Sequence, residues 1–428
     1  MKYKKIKLPH GGTLYYVKNK INSSTAVEIN FDCGSRCNTI DGLAHFVEHM
    51  FFTGTKTMTK EDVAKKYFDF IDVNAATGLK GIRFDGRIFT HELSDYLNTV
   101  ATMITESTFS QANVNKEIPV VCQEIAGKKD KYKLLSAWAV DYLTFRLPEY
   151  KNGNLGTQKS VQSIKSKDVK DYVKKYFVSN NLEVFVATPY SLRKTKKLVV
   201  KNLENKLPEN KDFEKLPYYY HDVADTNFFA VQTKDIPKSY IYVNFLSNHG
   251  RFDFDFKFKF GLVLDMLNDY SEGILNALRL KKSLVYSAGI MDAYYQKNSI
   301  VGFSTECDKE NVNEILKTLA DYFKFIIKNG FTQEQLNKAK RLYDYNEEVK
   351  EARVSHLISK LYQIKKFGKV LDAKKIKETV KNTTLHDCNK MFCEIFKNPT
   401  VSLLVYGNAT KQEVMSKEEF NMLFKSSN

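Results

Sequence analysis

Two hydrophobic periods run through the chain. Residues 14–17 and 26–31 are strand-like, and 83–89 alternates apolar with polar as a half-buried strand does. Helical spacing lies between and after them. One helix is predicted to begin near Asp41-Gly42, and a second where Thr59 caps a first turn holding Glu61 and Asp62. Leu97, Val100, Ala101 and Ile104 mark the apolar face of a third helix over 93–105, and 182–187 reads as a buried strand stopped by Thr188-Pro189.

From 190 to 237 the pattern breaks. A basic cluster (Arg193, Lys194, Lys196, Lys197), a charged stretch over 204–215, and Pro208 and Pro217 predict a linker. The order then repeats: a strand at 240–245, a helix around 260–278, strands near 285–293 and 299–305, further helices, and a closing strand at 401–407. The strands at 182–187 and 401–406 close the two halves at matching places. The pattern predicts an α+β protein of two homologous domains, 1–190 and 236–428, joined by 191–235, each a mostly antiparallel sheet packed with helices.

Composition narrows the class. At 43% apolar and 27% charged over 428 residues, the chain is globular, not fibrous or disordered. No run approaches the roughly 18 apolar residues of a membrane span, and the basic start Met1-Lys2-Tyr3-Lys4-Lys5 has no apolar stretch behind it, so the expected compartment is the cytoplasm. A net charge of +16 raises nucleic acid or an acidic membrane as partners. The lysines are scattered, however, and their clusters lack interleaved aromatics, which reads as a solvated surface and predicts neither partner. Six widely spread cysteines read as reduced thiols and not a disulfide framework.

The chemistry is concentrated in His45-Phe46-Val47-Glu48-His49. On a helix, residues four apart share a face, so His45 and His49 can present two imidazoles to one ion, with Glu48 on the adjoining part of that face. Two imidazoles and one carboxylate make a catalytic zinc site with a fourth position open to water. The H-x-x-E-H order is that of the inverzincins. With no G-x-S-x-G elbow and no persuasive Cys–His pairing, a serine or cysteine peptidase fits poorly.

The surrounding residues resemble the pitrilysin, or insulinase-like, family of metallopeptidases: Asp32-Cys33-Gly34-Ser35-Arg36, Gly42-Leu43-Ala44, and Met50-Phe51-Phe52-Thr53-Gly54-Thr55-Lys56. The resemblance implies one zinc per chain and a third ligand on a later helix, which is Glu124. It also implies a supporting acid two helical turns earlier, Glu117. Pro119 between them is accommodated if that helix starts near Lys116. Asn74, Ala75, Ala76 and Thr77 are similar to the family's edge strand beside the zinc, where an extended peptide substrate would add a strand.

In the second half, Arg279 and Tyr286 resemble the family's Arg/Tyr pair, which serves the substrate backbone and the oxyanion. The mechanism implied is hydrolysis in which zinc activates a water and Glu48 takes its proton and returns it to the leaving amine. Family members enclose substrate in a clamshell of four such domains. Two domains here, as in mitochondrial processing peptidase subunits, imply a partner: a homodimer, or a heterodimer with a related subunit. The expectation is a zinc endopeptidase acting on unfolded peptides or on leader or targeting peptides. The alternative is a non-catalytic scaffold of the same fold, and a basic nucleic-acid binder is a third reading carried by the charge alone.

Overall fold

The computed structural model describes residues 2–127, 131–215, 222–225 and 227–425, which divide into two compact units with one sheet each. The first sheet holds β1 (Tyr3–Lys7), β2 (Thr13–Lys18), β3 (Ser24–Phe31), β4 (Asp72–Thr77), β5 (Ile82–Phe89) and β6 (Leu182–Thr188), in the order β1-β2-β6-β3-β5-β4. The second holds β7 (Phe229–Thr233), β8 (Ser239–Ser247), β9 (Ala288–Tyr294), β10 (Ser299–Cys307) and β11 (Val401–Gly407), in the order β7-β11-β8-β10-β9. Without β1 the two orders match strand for strand. β2 and β7 pair in parallel with β6 and β11, and every other pairing is antiparallel. The two α+β halves are therefore true structural repeats.

Central strands β6 and β11 are buried at every residue. Apolar side chains on both faces need cover on both, and this explains their continuous hydrophobic runs. In the first unit, one face carries the main core with α1 (Leu43–Met50) and α3 (Leu93–Glu106). The opposite face, with Tyr15, Val17, Ala26, Phe185 and Ala187, is covered by the helix Val354–Phe367. Phe185 is stacked by Tyr15 at 4.5 Å and by Tyr362 at 4.3 Å. In the second unit, Val140 of the helix Lys131–Phe145 packs with Tyr240, Leu404 and Tyr406.

The units are accordingly discontinuous: Met1–Lys131, Glu149–Tyr219 and Glu348–Leu371 form one, and Tyr132–Pro148, Tyr220–Glu347 and Asp372–Asn428 the other. This corrects the contiguous division at 190 and 236, because each sheet takes the cover for its second face from the other half of the chain. Nor is 191–235 simply a linker. It holds the helix Leu192–Asn202, which buries Thr195 and Val199 in the first unit, and later β7; Pro217 lies outside the described residues.

Two helices depart from expectation. The stretch 260–278 is broken, with a helix Phe254–Leu267 followed by a π-helical turn Asn276–Leu280. Asp269 stops the first by accepting the backbone N–H groups of Ser271 and Glu272, a local bond that competes with the helix ladder. The helix expected from Lys116 is longer: α4 spans Gln111–Gly127, so Pro119 sits in its interior, where the ladder lacks one donor. The six cysteines are free thiols. Among the described residues no helix is long and apolar enough to cross a membrane.

Candidate metal centre

The histidine helix α1 is set by its entry. Gly42 has φ +87°, and a Cβ there would stand 2.4 Å from the Leu155 carbonyl oxygen, so this turn requires glycine. Asn38 accepts the Ala44 N–H at 2.8 Å, satisfying one of the helix's unpaired donors. Leu43, Ala44, Phe46, Val47 and Met50 are buried in the core, which holds the helix so that His45, Glu48 and His49 share the remaining face.

α4 brings its carboxylates to that face. Glu124 Oε2 lies 3.5 Å from His45 Nε2 and 3.2 Å from His49 Nε2. Neighbouring ligands around one tetrahedral ion with bonds of about 2.0–2.2 Å stand about 3.4 Å apart. The three donors lie within 4.8 Å of one another, and a set of two imidazoles and one carboxylate fits a divalent ion such as zinc. His49 Nδ1 bonds Glu117 Oε1 at 3.1 Å, and the other Glu117 oxygen accepts from Lys60 Nζ at 2.8 Å. Glu117 is 4% exposed. Burial pulls the His49 imidazole down, but Glu117 and Glu124 outweigh it and raise it to about 9. Burial likewise raises Glu117, and His49 with Lys60 reverses this to a net lowering. The carboxylates around His49 thus favour positive charge at this centre.

Glu48 stands beside the donors and accepts a 2.5 Å bond from Thr77 Oγ1. Burial raises its carboxyl above the ordinary glutamate range, against the opposing pull of Thr77 and His49. Thr77 ends β4, the edge strand of the first sheet, and its carbonyl is fixed by Asn154 Nδ2 at 2.7 Å. Tyr67 OH holds the Asn74 carbonyl at 2.9 Å. The strand named from sequence, Asn74 to Thr77, therefore abuts Glu48 through its last residue.

In the second unit, Arg279 lies in the π-helical turn with its guanidinium 4.6 Å from the Tyr286 ring centroid. Tyr286 is 80% exposed. The structure thus joins His45, His49, Glu48, Glu117, Glu124 and Thr77 at one centre, and pairs Arg279 with Tyr286. Sequence reasoning missed Lys60, whose place at the start of α2 (Lys60–Phe68) carries no spacing signal, and it gave Thr77 no role toward Glu48.

Residues 14–158 match the profile described as Insulinase (Peptidase family M16), and residues 163–343 match the one described as Peptidase M16 inactive domain. The chain belongs to peptidase family M16, the insulinase family. A Rickettsia felis protein named as an uncharacterized zinc protease is 24% identical over 94% of this chain and 97% of that protein. The Helicobacter pylori non-peptidase homolog YmxG is 20% identical over 75% of this chain and 74% of its own length. The Escherichia coli periplasmic protease PqqL has the same fold, with a TM-score of 0.77 at 17% identity, over 99% of this chain and 49% of PqqL. M16 membership makes the chain peptidase-like, and relatives bear both the zinc-protease and the non-peptidase name.

Proposed function

We propose that this chain is a zinc-dependent endopeptidase that hydrolyses unfolded peptides, including leader or targeting peptides, with a second copy or a related subunit completing the chamber. The observation that carries it is the convergence of His45, His49 and Glu124, with Glu48 held beside them by Thr77. Zinc bound there would supply a polarised water and a Lewis acid for the scissile carbonyl. Glu48 takes the proton of the attacking water and delivers it to the leaving nitrogen. Glu117 holds His49 by its Nδ1, and Lys60 holds Glu117. The open edge of β4 aligns the peptide through main-chain bonds. Arg279 and Tyr286 donate to the oxyanion.

Purified full-length protein is expected to contain one zinc per chain and to cut unfolded peptides but not folded proteins. Chelation should abolish cleavage, and one equivalent of zinc restore it. The name of the Helicobacter pylori relative favours a second reading, a non-catalytic scaffold, which predicts no cleavage by zinc-loaded protein.

Tyr286→Phe removes one hydroxyl and almost no volume from an exposed side chain. It is expected to lower kcat by about 10²–10³, the scale of one lost oxyanion donor, with zinc content and melting temperature unchanged. Full activity on several unrelated peptides would make the Arg279–Tyr286 pair purely structural.

A further inference from the structure

Thr77 makes two bonds that run to different parts of the first unit. Its Oγ1 donates to Glu48 Oε2 at 2.5 Å, and its carbonyl accepts from Asn154 Nδ2 at 2.7 Å. Strand geometry explains the second bond. Thr77 pairs with Ile82 of β5, and the next residue, Gly78, donates its N–H to the Gly81 carbonyl at 2.9 Å, so alternation turns the Thr77 carbonyl away from β5 toward the open edge of β4. An edge strand leaves such groups without a strand partner. Asn154 supplies one.

The segment 152–156 also seats the helix that carries Glu48. Asn152 Nδ2 donates to Asp41 Oδ2, just before α1. The Leu155 carbonyl approaches Gly42 so closely that only glycine fits, and Gly156, at φ +71°, packs in the same way on the Asp41 carbonyl. One short segment therefore holds both sides of the bond between Thr77 and Glu48: the end of β4 and the entry of α1. The hairpin beyond Thr77 has holds of its own, with the Ser35 and Arg36 N–H groups on the carbonyls of Gly78 and Leu79 at 3.0 and 3.1 Å. Loss of the Asn154 amide would thus free one carbonyl and leave the strand in place.

We propose that Asn154 is a positioning residue for the proton-transferring carboxylate, acting through Thr77 to hold Glu48 in its working orientation. The proposal rests on the endopeptidase reading and adds to it a residue from outside the helices of the metal centre.

The test is a double-mutant cycle on zinc-loaded full-length protein. Thr77→Val removes the hydroxyl at nearly constant volume and is expected to lower kcat by about 10–10², the scale of a hydrogen bond to a charged group. Asn154→Leu should lower kcat by about tenfold and leave KM within about twofold, with zinc content and melting temperature at wild-type values. The double variant should be no slower than Thr77→Val alone, because Asn154 has no effect without the hydroxyl it positions. In Thr77→Ser, which keeps the hydroxyl, Asn154→Leu should still lower kcat by about tenfold. If Asn154→Leu does not fold, Asn154→Asp, which keeps the size and loses the donor, takes its place in the cycle.

Wild-type kcat in the position 154 variant, or losses that multiply in the double variant, overturn the positioning role. Failure of the wild-type protein to cut any unfolded peptide would instead overturn the endopeptidase reading. Infrared difference spectra of the metal-free protein then decide the placement. The Glu48 carboxyl band, isolated by comparison with Glu48→Gln, should move alike in Thr77→Val and Asn154→Leu, and an unmoved band in Asn154→Leu overturns it.

Discussion

Glu48→Gln is expected to lower kcat by about 10²–10⁴ while leaving zinc content, secondary structure and melting temperature at wild-type values. The amide keeps the volume of the carboxylate and can still accept from Thr77 Oγ1, so the local packing survives. It can neither take the proton of the attacking water nor return one to the leaving nitrogen. His49→Ala should lose activity by another route, because it removes a donor from the set shared with His45 and Glu124 and so takes the metal with it. Measuring zinc and kcat on both variants separates the two effects. Near wild-type cleavage by Glu48→Gln would remove Glu48 as the base, and full zinc occupancy in His49→Ala would remove His49 as a ligand.

The largest stability effect is expected at Lys365. Its ammonium, 8% exposed, bonds Asp32 and Glu183, which are 6% and 2% exposed. Lys215 reaches Glu183 at 2.8 Å from the more exposed side. Lys365→Met keeps most of the volume and removes the charge, stranding buried carboxylates at a loss of about 3–5 kcal/mol. For a unit of this size that is roughly 6–20 °C in melting temperature.

The pH dependence tests the cause. Burial raises Glu183, but Lys365 and Lys215 outweigh it and leave the carboxyl below the ordinary range. In the wild type this stabilisation is fully present above the ordinary glutamate pKa and is lost as pH falls through the lowered one. In Lys365→Met, burial with less counter-charge moves the Glu183 carboxyl upward, so its protonation relieves the variant. The gap between the two proteins should therefore narrow on acidification, as read by thermal unfolding across a pH series. A constant gap would assign the loss to packing alone.

The chain on its own determined what is local. β3, β5, β6 and β11 follow from runs of apolar side chains at strand spacing, and α2 from its capping pair, in which Thr59 and Asp62 satisfy each other's backbone donors. His45, Glu48 and His49 were legible because four residues are one turn of a single helix, so their common face needs no fold to define it. Glu124 and Glu117 were legible through family likeness; no local period ties them to α1.

Tertiary structure decided everything that depends on two segments meeting. Lys60 finds Glu117, and Thr77 finds Glu48, across 57 and 29 residues of chain. Pro119 stands inside α4, where packing overrides a local preference. The helix Val354–Phe367 belongs to the first unit because Tyr15, Ala26 and Phe185 form an apolar face that no neighbouring helix covers. The hydrophobic period states that a helix has a face to bury, but burial is non-directional along the chain, so which surface receives that face is set only when the whole chain folds.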